Sequence, residues 1–169
     1  MAKRVITKVG DIFYVDLENG RRKYFQYIAN DLTQLNSDVI RVFKKDFPIE
    51  DKPDFEEILS TEIDFHAHTM INAGVKQNYF SQTRKRGIVS DIKNVFFRGT
   101  LDYGKKISDE MIKISHNWRV WHINDDDFTY VGKLEGVHRN AEIGIVIPPY
   151  AIVERIITGK YNFLYPDFE

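Results

Sequence analysis

Several stretches of this chain alternate apolar and polar residues with period two, the pattern of a strand with one buried face. The clearest lies near the start, where residues 11–17 and 22–28, both rich in aromatic and β-branched side chains, flank Glu18, Asn19, Gly20 and Arg21. Asn-Gly between such runs predicts a hairpin with a two-residue type I′ loop, whose central residues both need positive φ. That register sets Glu18 against Arg21, Asp16 against Lys23, Val15 against Tyr24 and Tyr14 against Phe25. Cross-strand pairs of these kinds contribute about 0.2–1 kcal/mol each, so turn chemistry and pairing agree.

A polar connector over residues 30–38 leads to a third strand at residues 39–43. Residues 46–62 follow, with seven carboxylates (Asp46, Glu50, Asp51, Asp54, Glu56, Glu57 and Glu62) against Lys52 alone. Pro53 and Asp54 open a short helix over residues 55–59, with carboxylates near its positive end. Over residues 63–71, Ile63, Phe65, Ala67, Thr69 and Ile71 share one face while Asp64, His66, His68 and Met70 share the other, wetter one. Residues 72–91 show no periodicity and predict a loop carrying Arg84, Lys85, Arg86 and Gly87. Another strand is expected at residues 95–98.

Residues 118–123 and 128–134 predict a second hairpin across Asn124, Asp125, Asp126 and Asp127, whose short side chains favour turns. Trp118 and Trp121 point to opposite faces of that strand, which makes both core, or one an exposed anchor. A short strand at residues 143–147 precedes the best helix, which has Pro149 in its first turn. Ile152/Ile156 and Val153/Ile157 recur four apart along it, and Gly159 lies just beyond its end. Residues 161–169 form an aromatic tail that packs back on the body. The expected architecture is mostly β (α+β): antiparallel hairpins forming a sheet or partly open barrel, with a helix near the C-terminus, in one domain spanning residues 1–169.

Composition narrows the function. The 169 residues contain no cysteine, which excludes disulfides and thiolate metal sites. A net charge of −1 gives no global attraction to nucleic acid or anionic membranes. Neither an export signal nor a long apolar span is present, and the most apolar stretch, residues 143–153, is broken by Pro148 and Pro149. The expectation is a soluble cytoplasmic protein.

Candidate chemistry is sparse. His66 and His68 lie two apart behind Asp64, a spacing that can chelate one ion, but a third ligand is missing at a defining interval, so neither metal nor cofactor is expected. Asp125, Asp126 and Asp127 lack the alternating ligands and distal carboxylate of a calcium loop. The sequence has no cysteine nucleophile, G-x-S-x-G elbow, phosphate loop or G-x-G-x-x-G, and His116, His122 and His138 are scattered. The chain reads as a binding protein and not an enzyme, although a site built on His66 and His68 is a distant third reading. Arg84, Lys85 and Arg86 follow Tyr79 and Phe80, a combination that serves single-stranded nucleic acid in a small β-barrel module, and this is the second reading.

The opening, Gly10, Asp11, Ile12, Phe13, Tyr14, Val15, Asp16, Leu17, Glu18, Asn19, Gly20 and Arg21, continuing through Tyr24, Phe25 and Gln26, resembles the start of the bacterial immunity protein 26 family. The resemblance covers roughly the first third of the chain. It implies a small, mostly β protein that binds and neutralises a cognate toxin by occluding its active site, without catalytic residues of its own. Nuclease toxins have basic clefts, which an acidic patch blocks by occupying the same field. On this reading Asp51, Asp54, Glu56 and Glu57 lie at the toxin interface.

Overall fold

The computed structural model describes residues 4–169. The chain runs β1 (Asp11–Asp16), β2 (Arg21–Asp31), β3 (Ser37–Pro48), α1 (Phe55–Leu59), β4 (Ile63–Thr69), α2 (Ile71–Lys76), β5 (Ser81–Arg86) and β6 (Phe96–Thr100). Then come β7 (Lys106–Ile107), β8 (Glu110–Met111), β9 (Trp118–His122), β10 (Thr129–Gly132), β11 (Glu142–Ile143), β12 (Val146–Ile147) and α3 (Pro149–Thr158). The protein is mostly β, with two open sheets and a small ribbon in place of a barrel. One sheet has the order β12-β4-β3-β2-β1-β5, the other β10-β9-β6-β11, and β7 and β8 pair alone.

Both faces of the six-stranded sheet are covered. On one, Phe13, Phe25, Val42 and Phe65 pack against Ile71 of α2 and Ile152 and Ile156 of α3. The other face is shared. Ile58 of α1 packs on Ile12, Tyr24, Phe43 and Phe47, while Ile28 and Val39 meet Val95, Phe97 and Trp121 of the four-stranded sheet. The far side of that second sheet, with Trp118 and Val120, is closed by Tyr165 and Phe168 of the tail. Among the described residues no helix is long and apolar enough to cross a membrane.

The first hairpin forms, but its register differs by one residue from the one expected. Phe13 faces Phe25, Tyr14 faces Tyr24 and Asp16 faces Arg22. The Leu17 N–H donates to the Arg21 carbonyl at 2.7 Å, so the loop is the three residues Glu18, Asn19 and Gly20, and of these only Gly20 has positive φ, at +75°. The core decides between the two registers. The observed one stacks Phe13 on Phe25 with centroids 5.2 Å apart, where Phe80 closes edge-on at 4.9 Å. The two-residue loop would set Phe13 against Gln26, and a one-residue slip moves every side chain of a strand to the other face. Gly20 has nothing within 4 Å of a built Cβ, so the cost of a side chain there is conformational alone. Gly20→Ala is therefore expected to lower stability by about 1 kcal/mol, measured by urea unfolding, with Gly20→Asn costing less.

Other expectations need correction. Residues 72–91 are not a loop. They contain α2 and the edge strand β5, which pairs antiparallel with β1. β5 shows no alternation because it is an exposed edge, and its positive charges discourage pairing with another chain. The third strand extends well beyond residues 39–43. The expected strand at residues 143–147 is two short segments on either side of Gly144, β11 parallel to β6 and β12 parallel to β4, so this stretch straps the two sheets together. Gly144 is required there, since a Cβ would lie 2.1 Å from Trp121.

Residues 55–59 form a helix as expected, and so do residues 149–158, with Gly159 left-handed at φ +84°. Both tryptophans are core. Trp118 donates to the Ser115 carbonyl at 2.7 Å.

Candidate partner-binding surface

α1 is a single short turn held by one anchor. Ile58 is buried, Phe55 and Leu59 are partly so, and the intervening Glu56 and Glu57 face solvent with Asp54 and Asp51. Asp54 precedes the first turn with extended backbone but makes no capping hydrogen bond, so its carboxylate is free to act outward. All four sequence-predicted contact residues are exposed in and beside α1, Asp54 and Glu56 bordering one hollow and Asp51 and Glu57 another.

Their electrostatics are less one-signed than the sequence implies. Glu57 pairs with Lys45 at 2.9 Å, Glu62 with Lys44 at 3.0 Å and Asp46 with Arg21 at 2.6 Å. β3 thus supplies cations from positions just before the acidic run. Asp51, Asp54 and Glu56 have no ion-pair partner among the described residues.

Two hollows border α1. One, of about 590 Å³, is walled by Asp54 and Glu56 on one side and by Arg86 and Ile88 on the other, above Phe55 and Leu59. The second, about 330 Å³, contains Asp51, Lys52 and Glu57 beside the Arg21–Asp46 pair. Ile88 is 88% exposed, the barest large apolar side chain described.

Ile88 is held there by residues far away in the sequence. The buried Gln26 donates its amide to the carbonyls of Gly10, Gly87 and Ile88 at 3.2 to 3.3 Å. Gly10, at φ +97°, passes so close to this segment that a Cβ would sit 2.6 Å from Arg86 and 2.7 Å from the Gly87 carbonyl. Asp11 pairs with Arg86 at 2.9 Å. Gly10, Asp11 and Gln26, three residues of the opening that resembles the immunity family, therefore fix the wall opposite α1. Sequence reasoning missed Ile88 and Arg86 as parts of this surface, because a wall made 60 residues away leaves no local signal.

The basic run of β5 is largely committed to the same place. Arg86 pairs with Asp11, and Lys85 lies 4.5 Å over the Phe55 ring. Of the two aromatics before it, Phe80 is buried in the core and only Tyr79 is exposed. That leaves little of the stacking platform and free charge a nucleic-acid strand needs.

His68 serves the interior, where the second sheet covers the face expected to be wetter, while Asp64 and Met70 on that face stay exposed. His68 is fully buried, 4.1 Å from the Phe97 ring. Its Nε2 bonds the equally buried Asp31 at 2.8 Å, and the same carboxylate accepts from Trp121 Nε1 at 3.1 Å and from the Asn124 N–H at 3.1 Å. Burial raises the Asp31 pKa, but the donors from His68, Asn124 and Trp121 outweigh it and hold the carboxyl below its usual range. Burial lowers His68 despite Asp31, so the pair is a neutral imidazole donating to a carboxylate. His66 accepts from Arg41 Nε at 3.1 Å, and burial, then Arg41 and Arg155, push it down to about 4. Neither imidazole is oriented for a shared ion, and no group of three or more His, Asp or Glu side chains able to hold a metal occurs among the described residues.

The run at Asp125, Asp126 and Asp127 is a turn, as expected. Asn124 is left-handed at φ +63°, and Asp125 accepts from the His122 N–H at 2.7 Å. Compared with known proteins, the chain matches no family model, no curated protein and no solved structure.

Proposed function

We propose that this chain is an immunity-type protein that acts in the bacterial cytoplasm by binding a cognate toxin through its α1 face and covering the toxin's active site. One observation carries the reading. Unpaired carboxylates at Asp54 and Glu56 stand across a cleft of about 590 Å³ from an isoleucine that is 88% exposed. An apolar anchor beside unneutralised charge is the composition of a protein-binding patch: the anchor supplies the desolvated contact and the charge selects and steers the partner. The partner that fits is a protein with a cationic cleft, such as a nuclease. The resemblance of residues 10–26 to immunity proteins supports the same class, and those residues shape this wall. His68 and Asp31 are both sealed from solvent and serve the core.

The test is binding kinetics against the protein encoded beside this gene, at two ionic strengths. Asp54→Lys with Glu56→Lys is expected to slow association about tenfold at low salt and to flatten its salt dependence. Glu57→Lys has a smaller effect because Lys45 already neutralises Glu57. Ile88→Ala raises the dissociation rate and leaves association nearly unchanged. Unchanged kinetics in the double variant would remove the α1 face from the interface. An absence of any complex with the neighbouring gene product would overturn the immunity reading.

A further inference from the structure

A separate part of the molecule gathers positive charge in a concave setting. A hollow of about 360 Å³ opens between β6, β11 and the end of α3, lined by Arg98, Arg139, Glu142, Arg155, Lys160 and Tyr161. Four cations line it with one carboxylate, Glu142, while Glu169 and Asp167 act on Arg139 and Arg98 from beside it. Glu142 is fully engaged by Arg155, through bonds of 2.9 and 3.2 Å to the two guanidinium nitrogens. Glu169 is engaged by Arg139. The carbonyl end of α3 favours one nearby cation. Arg98 and Lys160 remain without a carboxylate partner among the described residues.

The arginines are held in position. Arg155 lies 4.0 Å over Phe65, and Arg98 and Arg139 lie 5.0 and 5.2 Å from the Phe168 ring. Arg98 is half-buried. Its Nη1 donates to the Ala141 carbonyl at 2.9 Å, while its Nε is buried without an acceptor among the described residues. Burial lowers its pKa, offset in part by Tyr165, Glu142 and Asp167. Burial also pushes the Tyr161 phenol up to about 12, so it stays a neutral hydroxyl.

We infer that this hollow binds a dianionic phosphate group, free or carried on a small ester, between Arg98, Arg139 and Lys160. A phosphate supplies acceptors for several guanidinium and ammonium donors at once, more than the two oxygens of a carboxylate can serve. Since Arg139 is shared with Glu169, that side chain competes with the ligand. The inference does not depend on the toxin-binding reading, because none of these residues lines the hollows beside α1.

The test is calorimetric titration of the full chain with inorganic phosphate and with glycerol 3-phosphate, ionic strength held constant with sodium chloride. Both exposed cations are removed in Arg139→Gln/Lys160→Gln, which is expected to weaken phosphate binding about tenfold or more. Lys76→Gln, an exposed change on α2, leaves it unaltered. Glu169→Gln tightens binding by freeing Arg139, whereas Glu154→Gln, a partly exposed carboxylate of α3 outside the hollow, does not. An ester bound at least as tightly as the free ion assigns a phosphate ester, and one bound far more weakly assigns phosphate itself. Absence of binding by both probes, or equal binding in the double variant, overturns the site.

Discussion

Asp31→Ala is expected to lower the unfolding free energy by about 4 kcal/mol, because it removes the one carboxylate that serves donors from several parts of the chain. The carboxylate is fully buried and accepts from His68 of β4, Trp121 of β9 and the Asn124 backbone. Alanine would leave three donors from three parts of the chain without an acceptor, and each buried orphan costs about 1–3 kcal/mol. Asp31→Asn retains one acceptor oxygen and should lose roughly half as much. Urea unfolding at pH 7.5 measures both, and a loss under about 1 kcal/mol for the alanine variant would contradict this account of the sheet junction.

The second large effect is a loss of stability in mild acid. Unfolded, His66 protonates near pH 6.5; folded, only near 4. Between those values the unfolded chain holds the extra proton, so stability is fully present above pH 6.5 and declines as pH falls towards 4. The geometry gives the same sign, because Arg41 Nε donates to His66 Nε2, and protonating that nitrogen sets two donors against each other. The share from His66 is about 3 kcal/mol. His68, also lowered by burial, adds to the decline in the same direction. His66→Gln keeps an acceptor for Arg41 and should flatten the curve of unfolding free energy between pH 6.5 and 4. Parallel curves for the two proteins would refute the assignment.

Features that one segment determines by itself are legible in the sequence. α1 follows from Pro53, Asp54 and the apolar Ile58, and α3 from Pro149, its four-apart aliphatic pairs and Gly159. The hairpin of β1 and β2 is evident, but its register is not. Asn19 and Gly20 suit a two-residue loop and also a three-residue loop that ends on a left-handed glycine. The choice falls to Phe13, Phe25 and Phe80, the last from the bend before β5, more than 50 residues later.

His66 and His68 show the same limit. A polar residue on an alternating strand suggests a wet face, and only a second sheet, built from residues beyond 95, makes that face dry at His68. The acidic surface was half legible. Asp51, Asp54, Glu56 and Glu57 are visible as a run, whereas the neutralising Lys45 and the opposite wall at Ile88 come from other elements.

The strap formed by β11, Gly144 and β12 bears on how the protein is made. During synthesis the other strands of both sheets leave the ribosome before β11 and β12, the segment that joins β6 to β4. Until it arrives, the outer edges of β4 and β6 stand open, and α3 is not yet there to cover Phe65 and Phe25. The native state thus closes only once residues 142–158 have been made. A nascent chain stalled before that point carries two unfinished edges and a bare apolar face, the surfaces on which chaperones and neighbouring chains compete.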